Sequence, residues 1–296
     1  MREGDSTMLT VAQAFERFMQ SLELHEGEAR EAKRQERQVF DAMRRQLGPK
    51  ESILSGSYGR NTAIRPLHDI DLFLIFAGGN GKGETLSPEA FLLRVKHALE
   101  AEFSDKEARL QNRSVNIDFT GTGIGFDVVP AIEDPRQRNL YHIPDLNQGT
   151  WILSDPRRHQ AICDAVNERA KKKLKPLIKA IKRWNQQQGR PARSFLLEVM
   201  AYEGIATLPQ AASYAEGLTH LLKFMSERVE QTCPEPAGLG PPVNAGISAG
   251  KLQQAQQRLS GALRQATWAL EQERRGQMAS ANEVWRELLG PDFPVR

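Results

Sequence analysis

The chain has 296 residues, a formal net charge of +3, and 40% hydrophobic and 26% charged residues. This composition is typical of a globular protein with one large domain or two of ordinary size. No stretch approaches the roughly 20 apolar residues of a membrane span, so no membrane association is expected. The N-terminus lacks the apolar segment of a secretory signal, and Cys163 and Cys233 match no zinc or disulfide pattern, so we expect a cytoplasmic location.

The charges are divided unevenly along the chain. Residues 1–150 carry 19 Lys and Arg against 23 Asp and Glu, whereas residues 151–296 carry 21 against 14. Opposed charges suit a cleft that holds cations on one wall and phosphates on the other, although a chance difference between the halves gives the same counts. The composition is therefore compatible with a protein that binds phosphates, but it does not indicate an activity.

The first part of the chain is predicted to be helical. Apolar residues recur at helical spacing within residues 11–22, and a charged helix follows from about residue 26 to Gly48-Pro49. The pattern then changes, because the apolar run 70–76 is typical of a strand and the glycine-rich segment 77–83 of a turn.

The next part of the chain is predicted to contain both helix and strands, and the last part to be helical. We predict a helix at 88–103, two strands at 114–120 and 124–130, and a loop at 131–158. From about residue 160 the pattern is helical, with a Pro/Gly-rich connection at 232–250. The sequence thus predicts an α+β protein with an N-terminal helix, an α+β core and a helical C-terminal domain. We place the domain boundary between residues 1–160 and 161–296.

Two aspartates at the start of the strand 70–76 carry the first chemical signal. Asp69 and Asp71 are two residues apart, so in a strand both carboxylates project from the same face. Carboxylates this close repel each other unless a cation lies between them, and Mg²⁺ accepts such oxygen ligands while keeping positions for substrate phosphates. Taken alone, this motif is better explained by a pair of solvated aspartates at a strand end.

Two further features favour a metal site. Gly56-Ser57 offers backbone amides and a hydroxyl to a phosphate at the start of a helix. Asp127 lies in an otherwise apolar strand, where a lone carboxylate is costly to bury without a metal or a partner. If the two strands are neighbours, Asp127 completes a two-metal site that activates a hydroxyl and neutralises leaving pyrophosphate. Asp118 is the rival third acid, and we prefer Asp127 because its flanks are more apolar.

At this point the sequence resembles the DNA polymerase β-like nucleotidyltransferases. The segment GSYGRNTAIRPLHDIDLFLIF, together with FDVVPAI, is most similar to the bacterial cGAS/DncV-like nucleotidyltransferases (CD-NTases), relatives of the oligoadenylate synthases. Residues 177–186 and 194–204 resemble the two helices that complete the donor-nucleotide pocket in that family. The resemblance implies a polymerase β-like core with a mixed sheet and an oligoadenylate synthase-like helical domain, with the active site between them.

The resemblance also implies roles for individual residues. Asp69, Asp71 and Asp127 would be the catalytic residues and would hold two Mg²⁺ ions, with Mn²⁺ as an alternative. The nucleotide-binding residues would be Gly56, Ser57, Lys182, Ser194 and Phe195, of which Phe195 would stack on a base. Many members of the family have Tyr where Phe195 stands, so stacking is retained and a hydroxyl contact is lost.

A basic segment supports this interpretation independently. Residues 169–193 contain ten Lys and Arg and no acid. On a helix, Lys179 and Lys182 belong to a basic stripe parallel to an apolar one, and its edge could face phosphates. A solvated face is the simpler explanation for Lys171–Lys173. Such a stripe could also bind nucleic acid through its phosphates, a question that the sequence leaves open.

The expected function is Mg²⁺-dependent joining of NTPs, ATP among them, into a cyclic di- or trinucleotide or a short oligonucleotide. The product would act as a second messenger in bacterial antiphage (CBASS) signalling, with a nucleotide-activated effector downstream and a regulatory protein partner in some members. One alternative is nucleotide addition to an RNA 3′ end or to a protein hydroxyl. Another is a non-catalytic nucleotide- or RNA-binding protein, against which the presence of all three acids argues.

Overall fold

The computed structural model describes residues 8–78, 86–119 and 121–296. The chain divides into two compact units. The sheet unit comprises residues 24–162 and 237–240, and the helical unit comprises residues 1–23, 163–236 and 241–296. Within the described ranges, no helix combines the length and apolar character that a bilayer crossing requires.

The sheet unit is built on a seven-stranded mixed sheet. Its strands are β1 (Glu51–Leu54), β2 (Asp69–Phe76), β3 (Ala108–Leu110), β4 (Val115–Phe119), β5 (Ile124–Glu133), β6 (Tyr141–Asp145) and β7 (Thr150–Ser154). The order is β1-β2-β5-β4-β3, with β6 between β5 and β7, and only the β2–β5 pairing is parallel among the described strands. The α+β class and the mixed sheet expected from the sequence are confirmed.

Helices of the sheet unit cover one face of this sheet. They are α2 (Glu26–Leu47), the single turn α3 (Gly56–Gly59) and α4 (Pro88–Glu102), and α5 (Pro156–Arg169) contains the boundary between the units. Ile70, Leu72 and Leu74 of β2 are buried in the cluster that α2 and α4 complete. Burial of each such side chain stabilises the fold by about 1.5–3 kcal/mol.

The opposite face of β2 has its own apolar cluster. Phe73 and Ile75 pack there with Val129, Ala131 and residues of β6. Strand β2 is therefore buried on both faces over most of its length, which explains its continuous apolar run. Because side chains alternate, Asp69 and Asp71 lie on the same face as Phe73 and Ile75, ahead of them on the strand.

The helical unit contains the remaining helices. They are α1 (Val11–Leu22), α6 (Leu174–Gln187), α7 (Ser194–Gly204), α8 (Tyr214–Arg228), α9 (Ala249–Arg274) and α10 (Met278–Leu289). Helix α1 lies against α6, α8 and α10, and the Phe15 ring meets those of Trp285 and Phe293 edge-to-face at centroid distances of 4.9 and 5.1 Å. The sequence prediction groups the first helix with the catalytic core in residues 1–160. In the structure, the apolar face of this helix packs within the helical unit instead.

One segment differs from its sequence prediction. The predicted loop at 131–158 contains the end of β5 and the hairpin β6–β7. Strand β7 is half-exposed and β6 contains Pro144, so neither shows the alternating apolar pattern that a strand prediction requires. Strand β1 is also half-exposed and short, and no sequence pattern predicts it. Most of the predicted turn at 77–83, and the last residue of the predicted strand 114–120, lie outside the described residues.

Candidate active site

The two central strands bring three carboxylates together on one face. In the parallel pairing of β2 with β5, Asp71 lies opposite Asp127 and Asp69 lies opposite Gly125. Paired residues of neighbouring strands share a face of the sheet, so Asp69, Asp71 and Asp127 all project to the same side. Asp69 is exposed, whereas Asp71 and Asp127 are half-buried. The two strands that carry the three aspartates are therefore neighbours, which is the condition that the sequence hypothesis set for Asp127 to join Asp69 and Asp71.

Gly56 is closely fitted to one of these carboxylates. It begins α3 with a φ of +58°, and a Cβ atom built on it would lie 1.6 Å from Asp71 Oδ2. The adjoining Ser55 amide donates to the Asp71 carbonyl oxygen at 2.8 Å, and the Ser57 carbonyl accepts from Thr62 N at 2.8 Å. The Gly56-Ser57 turn is thus fixed against β2, and any side chain at residue 56 would displace the Asp71 carboxylate.

Gly125 leaves space for two other carboxylates. A Cβ atom there would lie 2.6 Å from Asp118 Oδ1 and 3.3 Å from Asp69 Oδ1. Asp118 lies opposite Gly125 on β4 and forms an ion pair with Arg109 of β3. Asp118 therefore shares the face of the other acids and has a cationic partner of its own. The preference for Asp127 over Asp118 as the third acid remains a prediction.

The pKa of the Asp127 carboxyl group is shifted from its ordinary value. Burial raises the pKa of its carboxyl group, and the negative charges of Asp69 and Asp118 raise it further. The Asn116 amide opposes this shift, because its Nδ2 donates to Asp127 Oδ1 at 2.9 Å. A carboxyl group with a raised pKa beside other carboxylates is stabilised in its charged form by a nearby cation.

The donor set suits a hard divalent cation. Three aspartates supply only oxygen ligands, which Mg²⁺ prefers, and the mutual repulsion that raises the Asp127 pKa is relieved by positive charge. In the described part of the chain, no group of three or more His, Cys, Asp or Glu side chains is arranged so that it could hold a metal ion as it stands. The residues therefore fit the ion by chemistry and by shared face.

A cavity of about 460 Å³ adjoins the acids within the sheet unit. Its volume lies in the range of small-molecule sites. Polar side chains form most of its lining, which comprises His68, Asp69, Arg109, Gln111, Asn116, Asp118, Phe119 and Gly123. Sequence reasoning did not single out Arg109 or Asn116, although the alternation of Asn116 and Asp118 along β4 was a usable signal.

The predicted lysines of the helical unit are engaged in ion pairs. Lys182 and Glu198 are both buried, with Nζ 3.1 Å from Oε2, and the Tyr202 hydroxyl donates to Glu198 at 2.9 Å. Lys179 is buried against Glu23 at 2.6 Å. The apolar stripe of α6 is buried as predicted, and its lysines meet carboxylates of the same unit. The role of Lys182 in binding triphosphate remains a prediction.

Ser194 and Phe195 stand at the start of α7, where Ser194 is exposed and Phe195 half-buried. Ser194 lines a second cavity of about 560 Å³ within the helical unit, to which no acidic residue of the described chain contributes. Four cationic side chains line this cationic cavity: Arg190, Arg193, Lys251 and Arg258. Sequence reasoning counted the two arginines before α7 only as part of a basic run and missed the two α9 residues, because no local pattern connects α9 with residue 194.

The fold and the acids define a class of protein. A mixed sheet with an Asp-x-Asp pair on one strand, a third aspartate opposite it on the parallel neighbour and a Gly-Ser turn against the pair is the arrangement of the polymerase β-like nucleotidyltransferases. The class expected from the sequence is thus confirmed, and the chain is a nucleotidyltransferase.

Comparison with known proteins shows the family. Residues 8–167 match the Second Messenger Oligonucleotide or Dinucleotide Synthetase domain (SMODS), and the chain belongs to this family. A probable cyclic nucleotide synthase of Bacillus cereus is 26% identical over 83% of this chain and 82% of its own. The CBASS oligonucleotide cyclase CdnC of Escherichia coli strain KTE188 is 22% identical over 87% of this chain and 88% of its own.

Solved structures agree on the fold. CdnC of E. coli MS115-1, solved with ATP, superposes with a TM-score of 0.75 at 18% identity, covering 97% of this chain and 99% of that one. The same protein in complex with a HORMA protein superposes with a TM-score of 0.74 at 17% identity, covering 96% of this chain and 98% of that one. The resemblance to the CD-NTases is therefore confirmed.

Proposed function

We propose that this nucleotidyltransferase joins NTPs, ATP among them, into a cyclic di- or trinucleotide or a short oligonucleotide that serves as a second messenger. The observation that carries the proposal is the placement of Asp69, Asp71 and Asp127 on one face beside the Gly56-Ser57 turn. The names of the relatives, a probable cyclic nucleotide synthase and a CBASS cyclase, support a cyclic product and a role in antiphage signalling.

The three acids would act together on the reacting groups. Asp69 and Asp71 would hold two Mg²⁺ ions with Asp127, and bound ions of this kind lower the pKa of an attacking hydroxyl and stabilise the charge on leaving pyrophosphate. Asp127 would accept the proton of the attacking ribose hydroxyl, as a carboxylate beside the bound ions. The amides of Gly56 and Ser57 would hold the donor triphosphate, with no side chain at residue 56 to block it.

The helical unit would contribute anion binding. Ser194 lines the cationic cavity, which four cationic side chains and no acid surround in the described structure. Among the described residues, Arg190, Lys251 and Arg258 are in no ion pair, in contrast to the α6 lysines, so their charge is available to a phosphate. Phe195 would stack on the donor base, and Lys182 would add a contact from within its pair with Glu198.

A regulatory partner and a downstream effector complete the proposal. The CdnC relative has been solved in complex with a HORMA protein, which supports a protein partner for this chain as well. An effector activated by the nucleotide product would then read the signal.

The proposal is tested by product analysis. Purified protein is incubated with four labelled NTPs and Mg²⁺ or Mn²⁺, with and without added RNA or a second protein. The products are then treated with phosphatase and separated. We expect small phosphatase-resistant products, because a cyclic nucleotide has no terminal phosphate. Label that appears only on added RNA or added protein would overturn the second-messenger function in favour of a transferase with a macromolecular acceptor.

The matched control is the double variant Asp69→Asn/Asp71→Asn. It keeps the size of both side chains and removes the two charges, so we expect product formation to fall below detection while the far-UV spectrum is unchanged. Full activity in this variant would contradict the assignment of the two aspartates.

A further inference from the structure

Behind the third acid lies a chain of polar contacts that runs across three strands. Asn116 of β4 is in register with Asp127 of β5, and its Nδ2 donates to Asp127 Oδ1 at 2.9 Å. Arg109 of β3 is in register with Asn116 and donates from Nη2 to Asn116 Oδ1 at 2.6 Å. The same guanidinium forms an ion pair with Asp118. The sequence Asp118–Arg109–Asn116–Asp127 is therefore a continuous set of hydrogen bonds.

This arrangement fixes the orientation of the Asn116 amide. A guanidinium has donors and no acceptor, so the atom that faces Arg109 must be the carbonyl oxygen of Asn116. The NH₂ group then faces Asp127, which as a carboxylate is an acceptor only. An amide turned the other way would place oxygen against oxygen and nitrogen against guanidinium. Arg109 thus determines which end of Asn116 the acid meets.

Asn116 stands where packing alone would favour another residue. It is buried, with 4% of its surface exposed, in a short strand whose other buried positions are Val115, Ile117 and Phe119. Asparagine is disfavoured in strands, and a buried amide has a desolvation cost unless it is hydrogen-bonded. The partners that satisfy this amide are Arg109 and the carboxylate of Asp127. Its contacts therefore point to Asp127 as the reason for its presence.

We propose that Asn116, oriented by Arg109, is a positioning residue that holds the Asp127 carboxylate in its working orientation. The inference rests on the proposed function, in which Asp127 binds a divalent cation and accepts a proton. The Asn116 amide holds Oδ1, and a hydrogen bond from the Gln111 side chain adds a second constraint on the same carboxylate. Outer hydrogen bonds of this kind commonly change metal affinity or activity by about 10- to 100-fold.

The test uses Asn116→Leu, which is close to asparagine in size and lacks the amide, and Arg109→Leu. Direct binding of Mn²⁺ to the protein with a non-hydrolysable ATP analogue is measured by calorimetry, alongside kcat, KM and the melting temperature. For Asn116→Leu we expect Mn²⁺ affinity and kcat to fall about 10- to 100-fold, with the KM for NTP within about threefold of the wild type. For Arg109→Leu we expect Mn²⁺ affinity and kcat to fall as well, by a smaller factor.

The double variant distinguishes positioning from independent roles. If Arg109 acts through Asn116, then Asn116→Leu/Arg109→Leu binds Mn²⁺ no more weakly than Asn116→Leu alone, since residues in one network are not additive. Additive losses would contradict the relay from Arg109. The matched control is Arg45→Leu, which removes an arginine of similar side-chain exposure, 61% against 55%, from an ion pair with Glu102. We expect it to leave Mn²⁺ binding and kcat unchanged.

The outcomes separate this inference from the proposed function. A wild type that binds no Mn²⁺ would overturn the metal assignment and this inference with it. A wild type that binds Mn²⁺, with Asn116→Leu binding it equally well and turning over at the same rate, would overturn the positioning role alone. If Asn116→Leu does not fold, Arg109→Leu decides the question, because its side chain is more than half exposed and tolerates removal.

Discussion

Asp127 is in an unfavourable state without a cation. Its pKa is raised in the folded chain, so the folded chain binds this proton more tightly than the unfolded chain does. The contribution of Asp127 to the free energy of unfolding therefore falls as the pH rises from the ordinary carboxyl pKa through the raised one. Above that interval the charged carboxylate opposes folding unless a cation compensates it.

The variant Asp127→Asn tests this charge. It cannot ionise, so near neutral pH in a chelating buffer we expect it to melt at a higher temperature than the wild type. Adding Mg²⁺ should raise the melting temperature of the wild type more than that of the variant. Turnover should fall by roughly 10²- to 10⁴-fold, the usual contribution of a general base. A variant that melts below the wild type in the chelating buffer would show that the charge stabilises the fold.

Gly56 is a second residue of the site that cannot be replaced without a clash, because any side chain there meets the Asp71 carboxylate. A Cβ atom 1.6 Å from Asp71 Oδ2, on a backbone with a φ of +58°, predicts that Gly56→Ala loses activity by displacing Asp71. The left-handed backbone adds about 1–2 kcal/mol of destabilisation. Turnover and thermal unfolding are the measurements.

A control for backbone strain alone is Gly48→Ala. Gly48 has a φ of +74° at the end of α2, and no atom lies within 4 Å of the position that a Cβ atom would take there. We expect it to reproduce the loss of stability and to retain turnover. Equal activity in the two alanine variants would contradict the fit between Gly56 and Asp71.

Among the elements, the pair of helices α6 and α7 holds the buried ion pair between Lys182 and Glu198. Replacing Lys182 with Met removes the counter-charge of the buried Glu198, which is expected to cost about 3–5 kcal/mol of unfolding free energy. The double variant Lys182→Met/Glu198→Gln should recover most of it, and Gln still accepts from Tyr202.

The double variant also isolates phosphate binding. Once stability is restored, any remaining rise in the KM for ATP measures the contact of Lys182 with the triphosphate. A double variant with the KM of the wild type would assign Lys182 to the ion pair with Glu198 alone. Chemical denaturation and steady-state kinetics provide the two readouts.

The loop before α7 and the first turns of α9 supply the cationic cavity. In Arg190→Ala/Arg258→Ala we expect the dissociation constant for ATP to rise about tenfold at low salt, and less at high salt because exposed charges are screened. Isothermal titration measures it. A control that removes two exposed cations of the same unit away from the cavity is Lys223→Ala/Arg264→Ala. Equal losses in the two double variants would assign the effect to net charge.

The helices and strands that the sequence predicted correctly are those with a strong local pattern of apolar residues. Strand β2 shows its apolar run and its aspartates in eight consecutive residues, and α6 shows clear helical spacing. The hairpin β6–β7 could not be predicted because β7 is only partly buried, β6 contains Pro144, and β6 is held by its pairing with β5. Cross-strand partners such as Asn116 and Arg109 depend on register, which a sequence alone does not specify.

At the scale of the whole molecule, the three acids and the Gly-Ser turn belong to one unit and Lys182, Ser194 and Phe195 to the other. Local signals predicted the first group: a Gly-Ser turn, an Asp-x-Asp pair at the start of an apolar run, and a lone aspartate in a later apolar strand. Ser194 and Phe195 were predicted only from family resemblance, and Lys182 from that resemblance and from the basic stripe of its helix. The first helix was expected beside the catalytic core, because sequence proximity does not reveal that its partners lie near residue 285.

The packing of α1 has a consequence for biosynthesis. Phe15 meets Trp285 and Phe293, and the Asn282 amide donates to the Leu9 carbonyl at 2.9 Å, so partners within the helical unit are about 270 residues apart in sequence. At translation rates of about 5–20 residues per second, the apolar stripe of α1 waits on the order of ten to fifty seconds for them. A ribosome-bound chain can therefore assemble the sheet with its acids and still lack a finished helical unit.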